Sequence, residues 1–547
     1  MSGALLVAGT HSDAGKSVVV AGICRWLARE GVGVAPFKAQ NMALNSFVTR
    51  EGAEIGRAQA AQAAAARVEP EAAMNPVLLK PSAERITQVV VRGRAWATAS
   101  AASYGAMKME LMPVVLESLR DLRRRFDVVI CEGAGSPAEI NLRKNDLANM
   151  GLARAAGLPV LLVGDIDRGG LFASLYGTLA LLSPEDQPLL AGFVVNKFRG
   201  DPAVLEPGLA TMTSLTGRPF FGTLPWIPGL GLDGEDSLAL DAPRPVKPPL
   251  GRDVMTVAVA RLGRISNFTD FDALSHEPGV SVRFTRSARE ILDADLAIIP
   301  GTKATVEDLK LLRSQDLDGA FAERDRRRRP ILGICGGYQM LGGRIEDGVE
   351  SSERQTSGLG LLPVQTAFEA DKVLDRPEGH APGFDDAPVA GYEIHHGRVR
   401  RSGGEPLFVT DDTEGCRVGA TLGTSWHGVL ESDGFRRAFL TWIAAESNRD
   451  WRPGDQSFAA ARETQLEKLG DLIADNVDRD ALMRLIEGGP PPGLPIVRHQ
   501  ATGHRLQQEA SNGTPVAENA RPEGAETSSR ASSTATDTMQ ANLKPEA

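Results

Sequence analysis

The chain has 547 residues, 42% apolar and 24% charged, the ordinary balance of a globular protein but too long for a single core. Its net charge of −10 at pH 7 excludes a general nucleic-acid binder. Cys24, Cys131, Cys335 and Cys416 form no CxxC pair, no run approaches a membrane span, and the first apolar run is too short for a signal peptide, so a cytoplasmic protein without disulfide framework or zinc is expected.

Residues 1–240 read as a first domain of alternating strands and helices. ALLVAG (4–9), FDVVICEGAG (126–135), LPVLLVGDI (158–166) and LAGFVVNKF (190–198) are strand-like, with Ala-rich helical segments between them. Such alternation predicts a mostly parallel sheet covered on both faces. RDLRRRF (120–126) precedes an apolar run, where cations suit the C-terminal end of a helix better than a functional basic patch.

GTHSDAGKS (9–17) follows the first strand and resembles a phosphate loop with one residue too many between Gly9 and Gly15-Lys16-Ser17. Small residues there turn backbone N–H groups inward, and the helix that follows offers its N-terminus to a phosphate. Thr10, Gly15, Lys16 and Ser17 are therefore candidate ATP contacts, Lys16 on the phosphates and the Ser17 hydroxyl on Mg²⁺. Glu132 ends a strand where a second metal-facing carboxylate belongs, the alternative being a solvated strand-end glutamate. Asn196 in NKFRGD is followed three residues on by Arg199 rather than Asp, so a guanine-reading motif is excluded, while a base contact by Asn196 stays open. His11 stands where partitioning ATPases carry a second lysine, which argues against a dimeric switch.

DAPRPVKPPLGRD reads as a linker, set at 241–253. A second α/β domain, 254–448, carries strand-like runs at 254–262, 294–302, 330–337 and 423–432. In PILGICGGYQMLGG the strand turns into a helix through Gly333-Ile334-Cys335-Gly336-Gly337, the pattern of a nucleophile elbow. A lone buried cysteine is usually a small hydrophobe. Here the paired glycines, a helix N-terminus that favours negative charge on sulfur, and a later His427 in SWHG point to a thiol nucleophile with a base. Backbone N–H groups near Gly336 and Gly301 are candidates for an oxyanion hole. His395 and His396 in GYEIHHG compete for the base role but rank lower, as a fold or interface element, because no clear strand precedes them. Residues 449–487 read as a helical segment, and 488–547 as a disordered tail poor in large apolar residues.

A thiol–histidine pair suits release of ammonia from glutamine, and a phosphate loop suits activation of a carboxylate as an acyl phosphate. At this point the chain resembles the cobyric acid synthase family over about residues 3–447. The resemblance rests on GTHSDAGKS, PFKAQNMALNS, NPVLLKP, EGAGSPAEINL, DIDRGGLFASLYGT, NKFRGD, PGTKATVEDL, GICGGYQMLG, YEIHHG and WHGVLESDGFR. It implies a dethiobiotin-synthetase-like P-loop domain, a class I-type glutaminase domain, and glutamine-fed, ATP- and Mg²⁺-dependent amidation. The substrate it implies is adenosylcobyrinic acid a,c-diamide, amidated at its b, d, e and g carboxylates. Under the resemblance Lys38 in FKAQNM is a second cation near the transferred phosphate, or else a surface lysine, and Asp146 is a substrate-site carboxylate or else a helix cap. Class I glutaminases usually carry Glu two residues after the histidine; Val429 stands there, so no third member of the site is assigned. The nearest rival is the synthase that amidates the a and c carboxylates; a non-enzymatic ATP-binding scaffold is opposed by Lys16, Cys335 and His427.

Overall fold

The structure is a computed structural model that describes residues 3–83, 86–230, 245–351 and 353–497. In the first half, six parallel strands run in the order Phe220–Pro225, Leu190–Phe198, Val160–Asp165, Gly3–Gly9, Val128–Glu132, Val34–Phe37. The four apolar runs are the central strands. The two edge strands, VAPF and FFGTLP, are short and carry Pro, so their pattern is too weak to stand out.

One face of this sheet packs Leu6, Val129, Leu162 and Phe193 against helix Ala101–Arg125 and its neighbours. The other packs Leu5, Val7 and Leu161 under helix Lys16–Arg29 and under two helices from the far end of the chain, Phe458–Asn476 and Arg479–Gly488. Arg25 is fully buried there, its guanidinium 2.6 Å from Glu463 and 3.0 Å from Glu467. The 449–487 segment is thus a wall of the first core, reached after the second half is complete.

Between Phe37 and helix Ala101–Arg125 the reading of helical segments needs correction. A four-stranded sheet of Gln40–Met42, Val77–Ala83, Ile86–Val91 and Arg94–Ser100 lies there, with helix Arg57–Ala65 between its first two strands in the chain. Its signal is VVVRGRAW, in which Arg92-Gly93 has positive φ at both residues, the geometry of a tight hairpin.

In the second half the strand order is Val280–Thr285, Met255–Ala260, Leu296–Ile299, Ile331–Ile334, Thr421–Thr424, Cys416–Val418, parallel up to a final antiparallel hairpin. Two further corrections fall here. The strand read at 423–432 stops at Thr424 and gives way to a loop and a 3₁₀ turn, Val429–Glu431. GYEIHHG does lie on a strand, Glu393–Arg401, paired with Val364–Asp375 in a separate sheet over the site.

All four cysteines are free and buried. Among the described residues no helix is long and apolar enough to cross a membrane. Residues 245–253 of the expected linker form neither helix nor strand, while 241–244 and the expected tail from 498 onward lie outside the described residues.

Candidate active sites

The first site sits at the C-terminal ends of the central strands. The strand Gly3–Gly9 ends in the loop, and Gly15, at φ 95°, caps helix Lys16–Arg29. Only glycine fits, because a Cβ there would stand 1.9 Å from Asn196 Nδ2. Asn196 Nδ2 donates to the Ala14 carbonyl at 3.0 Å, so this residue clamps the loop from the neighbouring strand. Lys16 Nζ donates to the His11 and Gly135 carbonyls at 3.0 and 3.2 Å, bridging the loop and the segment after Glu132. Thr10 Oγ1 lies 2.9 Å from His11 Nδ1 at the loop's start.

Glu132 gathers the rest. Its Oε1 accepts from Ser17 Oγ at 2.9 Å and pairs with Lys38 Nζ at 2.9 Å, while Oε2 accepts from Gln62 Nε2 at 2.5 Å. Burial works against its charge, but Lys38 first, then Gln62 and Lys16, hold the carboxyl below its ordinary range. Lys38 is buried, so it is not a surface lysine. Ser17 Oγ and Glu132 Oε1 are hard oxygen donors of the kind Mg²⁺ takes beside substrate phosphates, so the residues present fit that ion. Asp165, which ends the next strand, accepts from Lys197 Nζ at 2.9 Å and borders the same loop through His11.

Asp146 holds the turn that leads into a helix. Its carboxylate accepts from the N–H groups of Ala148, Asn149 and Gly151 at 3.0, 2.9 and 3.0 Å, fixing the start of helix Met150–Ala156.

The second site forms where Ile331–Ile334 meets helix Gly336–Leu341. Cys335 sits at φ 49°, ψ −109°, a conformation non-glycine residues rarely adopt, and its N–H is tied to Thr424 O at 2.7 Å. His427, in the loop after Thr421–Thr424, is an electrostatic neighbour of the Cys335 side chain. Gly301 makes room for the imidazole: a Cβ there would lie 2.6 Å from His427 Cε1. Gly336 opens the helix next to Cys335, while Gly301 packs against the imidazole.

A third residue completes the row. Asp270 Oδ2 lies 2.7 Å from His427 Nδ1, and Oδ1 accepts from Gly428 N at 2.9 Å. Tyr392 stacks on the imidazole at 5.5 Å. Burial disfavours protonated His427, but Asp270 and Cys335 outweigh it and raise its pKa to about 10. Cys335, Gln339, Lys303, Glu350, His395 and His396 line one small cavity. The two histidines therefore belong to the wall, with His396 Nδ1 3.0 Å from the Glu369 carbonyl, and neither replaces His427.

The sequence reading missed Asp270, Gln62, Asp165 and Tyr392. Asp165 carried a signal, since it closes the apolar run LPVLLVGDI as Glu132 closes FDVVICEG. Asp270 carried none: it reaches His427 across 157 positions from a short 3₁₀ turn, Phe268–Phe271.

Fold and sites together define a glutamine amidotransferase joined to a P-loop nucleotide-binding domain. Residues 5–237 match the model of the CobQ/CobB/MinD/ParA nucleotide binding domain, and residues 256–435 match that of the CobB/CobQ-like glutamine amidotransferase domain. The chain is 60% identical over 504 residues to a cobyric acid synthase of Streptomyces coelicolor, covering 91% of this chain and 99% of that one. It is 58% identical over 520 residues to one of Frankia casuarinae (91% and 99% covered) and 56% over 503 to one of Rhodococcus jostii (90% and 98%). The chain belongs to the cobyric acid synthase family, and with it to the glutamine-dependent amidotransferases that act as ligases.

Proposed function

We propose that this enzyme works in the cytoplasm and converts adenosylcobyrinic acid a,c-diamide to adenosylcobyric acid by amidating its b, d, e and g carboxylates. The observation that carries the reading is the presence, in one chain of this family, of a Cys335–His427–Asp270 row and a Ser17–Glu132–Lys38 cluster.

At the second site Cys335 Sγ attacks the side-chain amide carbon of glutamine while His427 holds the thiol proton and passes it to the departing nitrogen. Ammonia leaves, and His427 then draws a proton from the water that cleaves the thioester to glutamate. Asp270 keeps Nδ1 as the donor side of the ring, so that Nε2 faces the sulfur. Backbone N–H groups near Gly336 and Gly301 are suited to the developing oxyanion.

At the first site a substrate carboxylate oxygen attacks the γ-phosphorus of ATP, giving an acyl phosphate and ADP. Ammonia then adds to the acyl carbon and phosphate departs. Lys16 and Lys38 supply fixed positive charge on the loop side and the Glu132 side. Mg²⁺, when bound, adds positive charge to the phosphate oxygens, and Ser17 and Glu132 are the residues that would hold it.

The test is to incubate the purified chain with the a,c-diamide, ATP, Mg²⁺ and glutamine and count amides by mass. New amides at b, d, e and g are expected. Amides added only to the a and c positions of the unamidated acid would favour the rival synthase, and no ATP-dependent amide on either corrinoid would refute the reading.

A further inference from the structure

The Cys335 cavity meets the first half of the chain at one place. Among the described residues, Lys80 is the one lining side chain from that half, and Lys372 lies beside it. Both end on Glu54: Lys80 Nζ is 2.5 Å from Oε1 and Lys372 Nζ is 2.5 Å from Oε2, with Ser46 Oγ a further 2.8 Å partner of Lys80. The three side chains are 3%, 7% and 1% exposed. Burying three charges costs desolvation that an apolar wall would avoid, and such clusters are poor devices for stability alone. A polar wall here needs another use.

Beyond the wall the polarity continues. Glu54 opens the strand Glu54–Gly56, which leads directly into helix Arg57–Ala65. On that helix Gln59 and Gln62 are fully buried. Gln59 Oε1 accepts from Asn41 Nδ2 at 2.8 Å, and Gln62 donates to Glu132 in the nucleotide site. Asn41 Nδ2 and Gln59 Oε1 stand beside Gly56, two residues after Glu54, and Gln62 follows three residues after Gln59 on the same helix.

We propose that the Lys80–Glu54–Lys372 cluster is the gate through which ammonia leaves the Cys335 cavity, and that Asn41, Gln59 and Gln62 carry it to the nucleotide site. The proposal rests on the amidation reading above. Two lysines repel ammonium but not ammonia, so the gate passes the form whose lone pair can attack an acyl phosphate. The amides of these three side chains can accept from and donate to ammonia in turn. Burial and the neighbouring Lys80 and Lys303 bring the Lys372 pKa down to about 7 against the pull of Glu54.

The test measures three rates in Glu54→Gln and in Gln59→Leu: glutamate release, amide formation from glutamine, and amide formation from ammonium. The gate predicts glutamate release and ammonium-fed amidation close to wild type. It also predicts amides formed per glutamate lower by at least about threefold, the scale of one hydrogen bond, with ammonia escaping into solution. A wild-type ratio in both variants overturns the proposal. So does a parallel fall of all three rates in both, which makes the cluster a structural ion network. Wild-type enzyme that forms no amide from either nitrogen source would refute the amidation reading itself, a separate result.

Discussion

Asp270 is the residue on which the glutaminase chemistry turns most sharply. Val429 leaves the usual acid position empty, and the acid instead comes from 157 residues earlier in the chain, 2.7 Å from Nδ1. Asp270→Asn keeps the shape but loses the charge and disturbs the tautomer. Its glutamine hydrolysis is expected to fall by roughly 10²- to 10⁴-fold, with ammonium-fed amidation retained, in steady-state assays with each nitrogen source. A pH dependence follows from the same contact. The folded pKa of His427, about 10, lies above its ordinary 6.5. Its contribution to stability is therefore full below about pH 6.5 and is lost as pH rises toward 10. Urea unfolding midpoints should show wild type losing stability relative to Asp270→Asn across that window. Equal slopes would contradict the coupling. Glu132 and Cys335 were legible in the sequence because each stands at the end of an apolar strand, Lys16 and Ser17 because a glycine-rich loop leads from a strand into their helix, and His427 because it follows a strand-like run. Asp270 and Gln62 were not, because their partners are chosen by tertiary packing.

At the scale of elements, the parallel strands were legible wherever an apolar run of five or more residues ended in a glycine or an acid, as in ALLVAG and FDVVICEG. The strand of His395 and His396 was not, because its outward residues are Glu and Arg and its pairing is to a separate sheet. Helix Lys16–Arg29 shows how one element serves two levels: its N-terminus shapes the phosphate loop while its middle seats the C-terminal helix. At Gly22 a Cβ would meet Ile473 Cγ1 at 2.6 Å and Leu469 O at 2.7 Å, so backbone and side chain both block it. Gly22→Val is expected to cost about 1–3 kcal/mol by overpacking, read as a lower urea midpoint, and to weaken nucleotide binding by tilting the helix. Unchanged stability would show that the contact yields freely.

For the whole molecule, the chain order and the spatial order differ. The second half is complete at helix Asp433–Glu446, and the chain then returns to roof the first sheet with Phe458–Asn476 and Arg479–Gly488. The halves also share direct contacts: Arg57 pairs with Glu431 at 2.5 Å and lies over Tyr392, and Ser46 N donates to Asn267 Oδ1 at 2.7 Å. Ammonia made beside Cys335 can thus be used beside Lys16 without a change of protein. The division of labour makes two variants behave differently: Lys16→Ala should lose amidation from either nitrogen source, because the acyl phosphate is not made. The most direct measurement is the amide count, by mass, on the corrinoid acid for Cys335→Ala with glutamine and, separately, with ammonium. The account predicts no amides from glutamine and full amidation from ammonium; loss of both, or amidation from glutamine, would contradict it.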